Sequence, residues 1–267
     1  RIWLSWETCM MSRKQGRNKI AKLLIPLPPN LQEAGDAQDD DHYTCDIRDI
    51  PETHRHLVLV LGMPKCGTTS LHYAFESAGF RSVHWALDAG IDLQSDRRLR
   101  EWGEGASQRL ICELMRCAVN AGRPPLADLP QVDAIAEMNG LYWRHKRRQW
   151  AEGYFPQISL LEKLLHCYPD AHYVLNVRDH DKWVKSVDLH NDMRQRLVCA
   201  ELPGLPSGCG QLDEELVTWV EAHHQRVMSL LAGARLLVFD IERDGSLELS
   251  KFFGRRMEWD CHNATLY

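Results

Sequence analysis

Lysine and hydroxyl side chains cluster around two glycines in the stretch Gly62-Met63-Pro64-Lys65-Cys66-Gly67-Thr68-Thr69-Ser70. Glycines let the backbone approach an anion closely, and successive N–H groups at the start of a helix point toward it. Thr68 and Thr69 add hydroxyl donors and Lys65 adds a full positive charge. The chemistry these residues suit is the grip of a phosphate-like group. Nucleoside triphosphatases use G-x-x-x-x-G-K-[ST], with lysine directly after the second glycine. Here Thr68 holds that place and the lysine comes earlier, so the loop is built for an anion but not for ATP hydrolysis.

A second constellation is Arg178-Asp179-His180-Asp181-Lys182-Trp183-Val184-Lys185-Ser186. An arginine fork suits two phosphate oxygens at once, and a serine two helical turns further on adds a hydroxyl. Taken alone, Arg178 would as readily pair with Asp179 or Asp181 at a helix start. Ordinary glycine turns are common too, so each stretch gains its meaning from the other and from its surroundings.

Those surroundings are strands alternating with helices. Leu57-Val58-Leu59-Val60-Leu61 is an apolar run without polar alternation, the pattern of a parallel strand buried on both faces. The anion loop follows it directly, then a helix with Leu71, Phe75 and Ala78 on one face and Gly79 at its end. Arg81 to Trp85 is a candidate second strand. Helices are predicted over 105–121, 156–167, 181–196 and 212–231, with a short one over 247–253. Strands are predicted over 172–177 and 235–239. Alternation of this kind gives a parallel sheet with helices on it, and ligands then bind outside the carboxyl ends of the strands. Both constellations fall at such ends.

Pro-Lys-x-Gly-Thr-Thr after a hydrophobic strand resembles the donor loop of sulfotransferases that use 3′-phosphoadenosine 5′-phosphosulfate (PAPS). Arg178 and Ser186, eight positions apart, match that family's 3′-phosphate contacts, and Trp183 matches a branch with R-D-x-x-x-W-x-x-S. The resemblance runs from about His56 to Thr265. It includes Ala127-Asp128-Leu129-Pro130, Tyr168-Pro169-Asp170-Ala171, Leu236-Leu237-Val238-Phe239-Asp240 and Phe252-Phe253-Gly254. It implies a three-layer α/β/α fold with a central parallel sheet, the sulfotransferase variant of the P-loop NTPase-like architecture. It also implies that Pro64, Lys65, Cys66, Gly67, Thr68, Thr69 and Ser70 hold the 5′-phosphosulfate, with Lys65 on the departing phosphate. Arg178 and Ser186 would then hold the 3′-phosphate, and PAPS would be the co-substrate with no metal. Cys66 stands where the family usually has Ser or Thr, and the cytosolic members' C-terminal R-K-G segment is not visible.

Such a transfer needs a base for the acceptor's proton. Asp128 comes first, because in chain order it resembles the place of the cytosolic enzymes' catalytic histidine. His84, at the end of the second candidate strand, is next, since an imidazole titrates near neutral pH. Glu137 is third. Each has a plainer reading as a turn cap, a core histidine or a solvated helix residue.

The chain has 267 residues, a net charge of −5 and an ordinary hydrophobic fraction of 44%. A net negative charge argues against a general nucleic-acid or membrane-surface binder. No apolar run is long enough to span a bilayer. The nine cysteines include no C-x-x-C pair, which speaks against a zinc ribbon and for reduced thiols in a cytoplasmic protein, or for a Golgi-lumen protein whose anchor was removed. Residues 1–54 read as an extension or linker, basic and then acidic, and 55–267 as the sulfotransferase domain. The expected partner is a small-molecule or glycan acceptor whose pocket comes from the variable stretches 87–103 and 194–210, and neither carries a legible motif. Oligomeric state leaves no signature. A P-loop kinase or hydrolase and a non-catalytic binding protein on the same fold are the competing classes.

Overall fold

The computed structural model describes residues 57–87, 109–129, 132–143 and 149–262. The expected extension over 1–54 and most of the acceptor stretch 87–103 lie outside these residues. The compact unit that contains every described residue runs from Tyr43 to Tyr267.

In chain order the elements are β1 (Val58–Val60), α1 (Thr68–Ser77), β2 (Ser82–His84), β3 (Ala86–Leu87), β4 (Arg109–Leu110), α2 (Ile111–Asn120), β5 (Ala134–Glu137), β6 (Gly140–Trp143), β7 (Ala151–Tyr154), α3 (Pro156–Ser159), α4 (Leu161–Cys167), β8 (His172–Val177), α5 (His180–Asp188), α6 (Met193–Cys199), α7 (Asp213–Leu230), β9 (Leu236–Asp240) and α8 (Ser246–Phe253). The main sheet has the order β4-β3-β2-β5-β1-β8-β9. Its five central strands β2, β5, β1, β8 and β9 are all parallel, and β3 and β4 add an antiparallel edge.

The unalternating apolar run of β1 shows why the sheet has two covered faces. Leu57, Leu59 and Leu61 pack with residues of α2, α4 and the end of α7. Val58 and Val60 point the other way, against Leu71, Ala74 and Phe75 of α1 and Leu249 of α8. Successive strand side chains alternate between faces, so a strand with helices on both sides must be apolar throughout. The result is the expected α/β/α sandwich. A third apolar cluster joins the antiparallel hairpin β6–β7 to α5, α6 and α7 beside the sheet.

Several expected elements divide differently. The helix predicted over 156–167 is two pieces, broken at Leu160. The helix predicted over 181–196 is also two, α5 and α6, separated by a turn in which Asn191 and Asp192 take positive φ of 38° and 49°. Asn and Asp tolerate that region better than other non-glycine residues. β5 and the hairpin were not foreseen.

Candidate functional site

A cavity of about 520 Å³ opens at the carboxyl ends of the parallel strands. β1 delivers the anion loop to it, β5 delivers Glu137, and β8 delivers Arg178. This is where an open parallel sheet concentrates ligand contacts.

The loop is shaped by groups reaching in from behind it. The Gly62 N–H donates to Asn176 Oδ1 (2.9 Å), and Asn176 Nδ2 donates to the Cys66 carbonyl (2.6 Å). Trp183 Nε1 donates to the Pro64 carbonyl (2.9 Å), and Arg178 Nη1 to the Lys65 carbonyl (3.2 Å). Asn176, Trp183 and the start of the loop are buried, so these bonds have little competition from water. With three consecutive carbonyls held from outside, the backbone N–H groups are left for the cavity. Lys65 and Gly67 both have positive φ, 69° and 72°, on either side of Cys66. That alternation of hand turns neighbouring N–H groups toward one side, the form of an anion nest. Gly62 must be glycine for a different reason: a Cβ there would lie 2.2 Å from the Asn176 carbonyl oxygen.

Of the residues expected to hold the donor, Pro64, Lys65, Gly67, Thr68, Thr69, Ser70, Arg178 and Ser186 all line this one cavity. Cys66 differs, because its side chain is buried in the apolar cluster with Met63. Burial there pushes its thiol up to about 12, so only its backbone is available to a ligand.

Among the expected bases, Asp128 is not brought to the cavity. It is buried in the turn after α2, and both carboxylate oxygens are taken by the Arg123 guanidinium. The turn precedes β5, so its side chains are committed before the chain reaches the strand ends. His84 and Glu137 are in the cavity and touch each other, with Nε2 to Oε2 at 3.1 Å. Glu137 also accepts from Thr68 Oγ1 (2.5 Å) and Asn139 Nδ2 (3.2 Å). Burial opposes its charge, but bonds from His84, Thr68 and Asn139 outweigh it and hold the carboxyl below the usual Glu range. The same His84 nitrogen lies 3.1 Å from Thr68 Oγ1 and 3.4 Å from Thr69 Oγ1.

The turn between α5 and α6 contributes His190 to the same cavity, and α6 contributes Arg196. Lys65 Nζ lies 3.2 Å from His190 Nδ1. Burial lowers the Lys65 pKa, with Arg178 acting in the same direction and Glu137 against it. Lys65, Arg178 and Arg196 line the cavity with Glu137, and Arg178 and Arg196 are also paired outside it with Glu242 (3.5 Å) and Asp192 (3.1 Å). His190, Arg196 and Asn139 join the site without belonging to either motif. The pair Asn191-Asp192, which breaks the helix, was the available signal for His190.

The chain after α8 closes one side. Met257, Glu258, Trp259 and His262 donate their backbone N–H groups to Ser250, Ser77, Ser246 and Ser70 hydroxyls, at 2.8–3.1 Å. Trp259 is thereby set edge-on to Phe239, with Ile241 beside it over Gly67. Among the described residues no helix is long and apolar enough to cross a membrane, no group of side chains is arranged to hold a metal ion, and none of the seven cysteines forms a disulfide.

A search of curated proteins gave no significant match. The family model of the sulfotransferase domain matches residues 57–203, more than half of the chain, from the first residue of the β1 run to the segment after α6. The protein belongs to the sulfotransferase domain family.

Proposed function

We propose that the protein transfers a sulfuryl group from PAPS to a hydroxyl or amine of a small-molecule or glycan acceptor. The observation that carries this reading is the meeting of two segments 113 residues apart, where Arg178 Nη1 bonds the Lys65 carbonyl and both side chains line the same cavity with Ser186. A nucleotide phosphorylated at both ends of its ribose needs two anion sites at a fixed spacing, and ATP does not.

In this reading the loop amides and the hydroxyls of Thr68 and Thr69 hold the 5′-phosphosulfate. Arg178 and Ser186 hold the 3′-phosphate. Lys65 stabilises the charge that builds on the phosphate oxygen as the S–O bond breaks, the position from which a cation lowers the barrier most. Glu137 and His84 act on the loop itself. Glu137 fixes the Thr68 hydroxyl, and His84 spans both threonines, so the pair presents the donor grip and holds no proton in transit. Reaction then depends on positioning and charge stabilisation, with a general base contributing a factor of about 10²–10⁴.

The test is differential stabilisation. 3′,5′-ADP is expected to raise the melting temperature, and ATP with magnesium is not. PAPS labelled in its sulfuryl group is then offered with a panel of phenols, alcohols, amines and glycans, and label transfer is scored. Stabilisation by ATP with magnesium alone would favour a kinase or hydrolase. Binding of 3′,5′-ADP without transfer to any acceptor would favour a non-catalytic binding protein.

A further inference from the structure

Among the described residues, the one hydrogen bond of the Lys65 ammonium is to His190 Nδ1. An ammonium has no acceptor lone pair, so Nδ1 must accept and the imidazole carries its proton on Nε2. His190 is exposed and lines the cavity within reach of Lys65 of the anion loop. It sits in the turn between α5 and α6, held by its own N–H to the Val187 carbonyl (3.2 Å). His84, by comparison, has its Nε2 engaged with Glu137 and two threonines. Glu137 accepts three hydrogen bonds and is a weakened base. His190 is the imidazole whose acceptor nitrogen faces the group that must attend the leaving oxygen.

We propose that His190 is the base that takes the acceptor's proton, and that Lys65 occupies its accepting nitrogen until the donor draws the ammonium away. The proposal rests on the PAPS reading above. In the step, the acceptor O–H or N–H gives its proton to His190 Nδ1 as the new bond to sulfur forms. The bond between sulfur and the bridging oxygen breaks, and its electron pair leaves on the 5′-phosphate of 3′,5′-ADP beside Lys65. The imidazolium then gives the Nδ1 proton to water, which restores the Nε2–H tautomer that accepts from Lys65.

The charges around His190 make donor binding and basicity rise together. Partial desolvation on its cavity side lowers its pKa first, then the cations Lys65 on the loop and Arg196 on α6, with Glu137 on β5 opposing them. Asp188 and Asp192 flank it in the chain but are tied to Arg194 and Arg196. A nucleotide with two phosphates brings negative charge against Lys65 and Arg196. It thereby removes the chief electrostatic reason for His190 to be a poor base, and a base works best with its pKa near the working pH.

The experiment titrates the histidine Cε1–H signals of the full chain by NMR, with and without 3′,5′-ADP, using His190→Gln to assign the signal. In parallel, the slow transfer of the sulfuryl group from PAPS to water is followed against pH, which needs no knowledge of the acceptor. The His190 midpoint is expected to rise when 3′,5′-ADP binds. His190→Gln is expected to bind 3′,5′-ADP normally, to lose about 10²–10⁴ in transfer rate, and to lose the acidic limb of the pH profile. A bound nucleotide that leaves the midpoint unmoved or lowers it overturns the proposal, as does a variant that keeps both rate and acidic limb. Failure of 3′,5′-ADP to bind at all would instead remove the donor reading and this inference with it.

Discussion

The two walls of the cavity are built by opposite strategies. On the donor side, Gly62, Pro64, Lys65 and Cys66 have backbone groups tied by Asn176, Trp183 and Arg178, two of them fully enclosed. On the other side, His190 sits exposed in a turn whose backbone takes positive φ at Asn191 and Asp192. Buried hydrogen bonds fix a geometry because leaving one unmade is expensive. Exposed polar side chains at a helix break are cheap to change. Under the proposed reading, the first kind of wall suits a donor that stays the same and the second an acceptor that varies.

The sharpest way to break the contrast is Gly62→Ala. Its Cβ would meet the Asn176 carbonyl at 2.2 Å, backbone against backbone. Urea unfolding is expected to show a loss at or beyond the top of the ~1–3 kcal/mol range for overpacked sites, together with loss of 3′,5′-ADP binding. A comparably placed Asn191→Gly on the other wall, where φ is positive, is expected to leave the urea midpoint nearly unchanged.

Acid should also distinguish the walls. His223 Nε2 donates to the Leu61 carbonyl at the foot of the donor loop (2.7 Å), and His224 is buried beside it on α7. Burial lowers both to about 4. A histidine held neutral in the fold contributes its stability above its unfolded value of about 6.5 and loses it progressively as pH falls toward 4. The urea midpoint should therefore drop over that window, and His223→Gln should flatten the drop. An acid dependence unaffected by that variant would place the sensitive groups elsewhere.

Arg178→Ala sharpens the comparison within the donor wall. Isothermal titration is expected to show 3′,5′-ADP binding weakened by about 1.5–3 kcal/mol, the worth of hydrogen bonds to a charged group, with the fold retained. Unchanged affinity would argue that the 3′-phosphate is held by other residues. The smallest effect is expected from His84→Ala, about 0.5–1.5 kcal/mol in the same titration, because the Thr68 hydroxyl keeps its bond to Glu137.

Legibility in the sequence follows the same division. β1, the loop, β8 and the start of α5 were readable because a strand buried on both faces must be apolar, and because a loop that grips an anion needs glycine, lysine and hydroxyls in order. β5 was not readable: Ala134-Ile135-Ala136-Glu137 is short and contains no aromatic residue. Without that strand, the sequence does not show which side chain reaches the cavity next to the anion loop. Counting positions along the chain pointed to Asp128, whereas the strand end that reaches the cavity carries Glu137, and Arg123 five residues earlier had already claimed the aspartate. His190 was hidden for a related reason. The helix predicted over 181–196 put it in a regular interior, and hydrophobic periodicity does not register a turn of four residues between two helices that share an apolar face.

The segment from Met257 to His262 has its own consequence for anyone reshaping this cavity. Four separate serine hydroxyls, on two different helices, attach it. Each attachment can be cut by removing a single oxygen atom, although the Ser77 hydroxyl also donates to the Ala74 carbonyl of its own helix (2.7 Å). The side of the cavity capped by Trp259 can therefore be loosened in graded steps, and at Ser77, Ser246 and Ser250 this leaves the residues of the anion loop unchanged.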